Sequence, residues 1–190
     1  MQKSINHIYL IILISVLSSV APMGVDTYIP SIPEIAKYFE VDIHKIELSL
    51  SIFLIGFSIG QIFGGPISDR YGRRFGSILG LLGYAFFSFL IIFSSTVYEL
   101  WFYRFFEAFF GGITVVNAAA SVRDRFKGQE AAKVFSLIGM VRSLAPLLAP
   151  VFGAAIIHFF PWEGVFIFLT IYALIVTFFV YKDYQKALHT

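Results

Sequence analysis

From Leu48 to Ser68 the sequence runs without a single charged residue, and it does so again from Phe75 to Ser95 and from Gly164 to Tyr181. Uncharged runs of this length restrict the possible folds more than any motif does. An α-helix rises about 1.5 Å per residue, so roughly 20 apolar residues cover the roughly 30 Å of bilayer hydrocarbon. Three more stretches have that length and carry only isolated charges. They are Ile8–Ile29 with Asp26, Leu100–Val122 with Arg104 and Glu107, and Val134–Ile157 with Arg142. The reading is an all-α membrane protein, a bundle of six transmembrane helices in one domain over residues 1–190. A β-barrel strand alternates apolar and polar residues, whereas Ile78–Phe93 is apolar on every side. In lipid, such a run satisfies its backbone groups only as a helix.

Composition supports the same conclusion. Hydrophobic residues make up 58% of the chain, charged residues 14%, and mean hydropathy is +0.81. That leaves too little polar sequence to cover a soluble core of this size. Lys3 ahead of the apolar run Ile8–Val20 has the outline of a secretory signal, but the helical pattern continues past Asp26 toward Pro30. We read it as a retained first helix. Cysteine is absent, which removes disulfides and thiolate chemistry. His7, His44, His158 and His189 lack ligand spacing, so no metal is expected. No basic run with interleaved aromatics points to nucleic acid. No nucleophile–base constellation points to an enzyme.

The loops set the orientation. Of the 14 Lys and Arg, only Lys37 and Lys45 fall in segments on one side, and Arg104 and Arg142 lie within helices. All the others, Lys3, Arg70, Arg73, Arg74, Arg123, Arg125, Lys127, Lys133, Lys182 and Lys186, fall on the opposite side. The positive-inside rule therefore expects both termini in the cytoplasm. Helices one to three and four to six could form an inverted repeat.

Between the second and third helices stands Gly65-Pro66-Ile67-Ser68-Asp69-Arg70-Tyr71-Gly72-Arg73-Arg74. Gly65 would permit close backbone approach and Gly72 a tight turn. Asp69 could cap a helix or pair with an Arg, and Arg73 and Arg74 would anchor the loop on the cytoplasmic side. A plain positive-inside turn is the simpler alternative. Gly56, Gly60 and Gly64 repeat every fourth residue, a spacing that lets another helix approach. Pro146 and Pro150 share one face of the fifth helix and free backbone carbonyls, so a kink or gate is expected there. Asp26, Arg104, Glu107 and Arg142 are costly in lipid and are expected to face the bundle interior, either for transport or as structural ion pairs. Asp26 and Arg104 lie at matching depth on antiparallel helices, which predicts that they face each other. Arg104 and Glu107, three residues apart, can also pair on one helix face, and Glu107 is the rival proton site.

The loop resembles the signature G-x-x-x-D-R-x-G-R-R/K of the major facilitator superfamily. There it implies a charge latch formed by Gly65, Asp69, Arg70, Gly72, Arg73 and Arg74 that contacts the other half of the protein. Asp26-Thr27-Tyr28-Ile29-Pro30 and Pro33 resemble the end of the first helix in bicyclomycin/chloramphenicol-type drug exporters. Arg104-Phe105-Phe106-Glu107-Ala108 with Gly111, followed by Arg123-Asp124, resembles the fourth-helix pattern, with Glu107 where Gln is usual. Ala145 to Gly153 resembles the antiporter motif, through Pro146, Pro150 and Gly153.

The resemblance implies the amino-terminal half of a proton-coupled multidrug antiporter in the bacterial inner membrane. It implies no cofactor beyond the proton gradient. The implied partners are lipid, protons, small amphipathic drugs, and a second six-helix half or a second copy. The alternative is a truncated half without transport activity, in which the Gly56/Gly60/Gly64 face and the Asp69 loop lack partners.

Overall fold

The structure, a computed structural model, describes residues 11–188, with side chains through Lys182. The predicted helix start at Ile8 and the flanking Lys3, Asn6 and His189 lie outside the described residues. Six helices long and apolar enough to cross a membrane follow one another, and no strand occurs among the described residues. We number them α1 (Ile11–Tyr38), α2 (Ile43–Tyr71), α3 (Arg73–Ile91), α4 (Val97–Arg125), α5 (Gly128–Phe159) and α6 (Glu163–Leu188).

Most helices outrun their apolar cores because local chemistry sets the ends. Asp42 caps α2 by accepting from the His44 N–H at 2.8 Å. Thr96 and Glu99 form a reciprocal capping box at the start of α4. The predicted first helix stops at Ile29, but helical structure resumes through a 3-10 turn at Ile29–Ser31 and the short helix Ile32–Tyr38. Pro30 and Pro33 occupy first-turn positions there, where no N–H is required. α3 ends at Ile91, short of Ser95, because Ile92, Phe93 and Ser94 close a turn onto the carbonyls of Phe89, Leu90 and Ile91.

The tightest seam joins α2 to α4. A Cβ on Gly56 or Gly60 would collide with the carbonyl oxygens of Phe105 and Phe109, and one on Gly64 would sit 2.8 Å from the Ile113 Cα. The four-residue period on α2 thus meets the same period on α4. This corrects the expectation that the face would lack a partner, since it is filled within the chain. α5 is the least embedded helix. It turns Ala145, Ala149 and Gly153 toward α1 and leaves Leu147, Val151 and Met140 each about two-thirds exposed. Neither Pro146 nor Pro150 ends it.

Candidate functional site

Arg104 and Glu107 are three residues apart on α4, so the helix itself places them on one face. Both have 0% exposure, and Arg104 Nη1 donates to Glu107 Oε2 at 2.8 Å. The same nitrogen donates to the carbonyl oxygen of Gly24 on α1 at 3.1 Å. Ser88 of α3 donates to Glu107 Oε1 at 2.6 Å. The guanidinium carbon lies 4.3 Å from the ring centroids of both Tyr28 and Phe53, and 5.9 Å from that of Phe166. Five helices therefore converge on this ion pair.

Tyr28 is held in turn. Its hydroxyl lies 2.8 Å from Ser49 Oγ, and Ser49 donates its own hydrogen to the Ile46 carbonyl, so Tyr28 is the donor between them. Nε and Nη2 of Arg104 have no hydrogen-bond partner among the described residues. Aromatic faces take their place, which suits a planar and weakly hydrated cation.

The expected Asp26–Arg104 pair does not form. Asp26 is partly exposed and has no ion-pair partner among the described residues. The depth argument was sound, since Arg104 reaches α1 at Gly24. Two residues along a helix turn the chain by about 200°, so Asp26 points away while Tyr28, one turn on from Gly24, shares its face. Arg142 also departs from the interior placement: it is exposed. α5 touches α1 near Gly153, where a Cβ would collide with the Thr27 carbonyl oxygen, and it diverges from α1 toward Arg142. Pro146 cannot donate to the carbonyl four residues back, so the Arg142 carbonyl is released from the helical ladder.

The α2–α3 loop forms a second cluster. Gly72 has φ of +89°, and its N–H closes α2 onto the Ser68 carbonyl at 2.9 Å. Arg73 pairs with Asp69 at 2.6 Å and, through Nε, with Asp124 of α4 at 2.7 Å; it also donates to Ser68 Oγ. Arg74 Nη2 donates to the Tyr181 carbonyl of α6 at 2.7 Å, with its guanidinium 4.8 Å from the Tyr181 ring. Arg70 rests over Tyr71 at 5.4 Å. Two arginines adjacent in sequence thus tie different helices. The Asp69 loop has its partners inside the chain, contrary to the expectation for an isolated half. Gly65 is the other correction: a Cβ there would meet nothing within 4 Å, because the close approach belongs to its neighbour Gly64.

Sequence reasoning did not single out Ser88, Gly24 or Tyr181 for these contacts, and it noted Tyr28 only within the first-helix motif. Asp124 it noted only within a motif. Its position as the one acid between Arg123 and Arg125 was the available signal.

The arrangement is one buried charge pair, one partly exposed carboxylate with no ion-pair partner among the described residues, and one charge-linked loop. The profile of the Major Facilitator Superfamily matches residues 14–189. A bicyclomycin resistance protein homolog from Haemophilus influenzae is 34% identical over 189 residues, covering 98% of this chain and 48% of that protein. A chloramphenicol resistance protein from Pseudomonas aeruginosa is 29% identical over 160 residues, covering 84% and 38%. A D-xylose-proton symporter of known structure superposes with a TM-score of 0.75 at 20% identity, over 92% of this chain and 48% of the symporter. The chain spans about half the length of these proteins. With its six membrane-length helices, it belongs to the major facilitator superfamily and is a multi-pass membrane protein related to drug-resistance transporters.

Proposed function

We propose that this chain works as the amino-terminal half of a proton-coupled exporter of small amphipathic drugs. The observation that carries the reading is the division of labour among the buried charges. Arg104 and Glu107 neutralise each other without exposed surface. Asp26 is left as an intramembrane carboxylate with partial access and no ion-pair partner among the described residues. A carboxylate of that kind can gain a proton from one side of the membrane and lose it when a cationic drug competes for the same oxygens. The names of the drug-resistance relatives support the substrate class.

In this reading Asp26 carries the proton, the Arg104–Glu107 pair sets the local field, and Arg142 faces the cavity completed by a second six-helix unit. Asp69, Arg73 and Asp124 hold one access state closed, and Pro146 and Pro150 give α5 the freedom to bend. The proton gradient supplies the energy and no cofactor takes part. The Lys and Arg asymmetry supports termini on the cytoplasmic side of a bacterial inner membrane.

The test is co-expression with the carboxyl-terminal half of the Haemophilus relative in a drug-sensitive host. The pair should confer resistance that neither half gives alone, and Asp26→Asn should remove it. Resistance that persists in Asp26→Asn while Glu107→Gln loses it would move the proton to Glu107.

A further inference from the structure

Along half its length α5 stands away from α1. The two helices touch where Gly153 meets Thr27, and toward the other end a gap of about 340 Å³ opens between Ile11, Ile12 and Ser15 of α1 and Met140, Val141 and Leu144 of α5. A second gap of about 320 Å³ lies between α1 and α6, against Tyr172, Ile175 and Phe179. Ile12 and Val16 border both gaps, so they form two lobes divided by one ridge. The lining offers almost nothing polar. The Ser15 hydroxyl is already donated to the Ile11 carbonyl at 2.8 Å.

The lobes lie at the start of α1, in the first half of α5 and in the last half of α6, which is a single side of the bilayer. Lys133, exposed, precedes Leu137 of the first lobe by one turn on α5. Lys182, also exposed, follows Phe179 of the second lobe by three residues, with its Nζ 5.8 Å from the Phe178 ring. Neither lysine has an ion-pair partner among the described residues. Of the nearby acids, Glu130 is engaged in a contact of its own, and Asp183 follows Lys182 in the sequence.

A filling molecule must therefore be apolar in two places and negative at the mouth. We propose that this groove binds one anionic diacyl phospholipid, with an acyl chain in each lobe and its phosphate between Lys133 and Lys182. Basic side chains at the mouth of an interhelical groove recognise phosphate headgroups through charge. They repel the cationic amphiphiles that would otherwise suit the apolar lobes. The site stands apart from the transport reading; the proposed orientation decides only which leaflet supplies the lipid.

The experiment is native mass spectrometry of the purified chain, with phosphatidylglycerol and phosphatidylcholine of identical acyl chains offered in a mild detergent. One phosphatidylglycerol should be retained per chain, with a preference over phosphatidylcholine of about fivefold for each lysine engaged. Lys133→Ala with Lys182→Ala should erase the preference, and Lys133→Arg with Lys182→Arg should keep it. Ile12→Trp, at a half-exposed ridge position, should lower retention of both lipids. Equal retention of the two lipids by the unaltered chain, an undiminished preference in the double alanine variant, or full phosphatidylglycerol retention in Ile12→Trp would each overturn the proposal.

Discussion

A guanidinium with no exposed surface must replace its hydration shell from its neighbours. Arg104 does so with one carboxylate, one backbone carbonyl and the faces of Tyr28 and Phe53. Removing the carboxylate leaves a buried charge without its counterion, which costs about 3–5 kcal/mol. Glu107→Ala should therefore lower the thermal unfolding midpoint in detergent sharply. Glu107→Gln also removes the counterion and should destabilise the chain too, by less than Glu107→Ala because its amide oxygen still accepts from Arg104 or Ser88. The Arg104–Glu107 contact was legible from sequence because three residues along a helix fix both depth and face. The contacts of Gly24, Tyr28 and Phe53 were not, because they depend on how two other helices are rotated. The Asp26 misplacement has the same origin: residue counting gives height along a helix, while azimuth comes only from packing.

At the scale of elements, small residues decide which helices meet. The Gly56/Gly60/Gly64 period was readable, and its partner was not, since the matching Phe105, Phe109 and Ile113 contribute backbone rather than side chain. Gly60→Leu should separate α2 from α4, and its effect should exceed that of Gly65→Leu, where the space is open. Loss of folded protein on size-exclusion chromatography in the first variant and retention in the second checks this. Gly72 sits at positive φ, so Gly72→Ala should destabilise the chain by about 1 kcal/mol. At Gly139, where an added Cβ would meet no atom of another helix within 4 Å and the backbone is helical, substitution by Ala should be neutral or slightly stabilising. Paired thermal melts of the two variants compare them directly. The spans themselves were legible because lipid permits only helices. Their ends were set by caps such as Asp42 and Thr96, which lie outside the apolar runs.

For the whole molecule, the unequal distribution of Lys and Arg makes a prediction of its own. Single cysteines placed near Asn6 and near His189, in a chain that has none, should resist a membrane-impermeant maleimide applied to intact cells and should react in inverted vesicles. Labelling from outside at both positions would reverse the orientation. In the proposed reading, Arg142 and the exposed flank of α5 face a second six-helix unit. A demonstrably monomeric preparation should therefore export no drug. The most direct test of the account is proton counting on the purified two-half assembly in weakly buffered detergent. Adding a transported cationic drug should release about one proton per drug bound, following the exchange of charge at one carboxylate. That release should vanish in Asp26→Asn and survive in Glu107→Gln. Proton release that survives in Asp26→Asn and disappears in Glu107→Gln would contradict the assignment of Asp26 as the coupling carboxylate and of Arg104–Glu107 as a fixed pair.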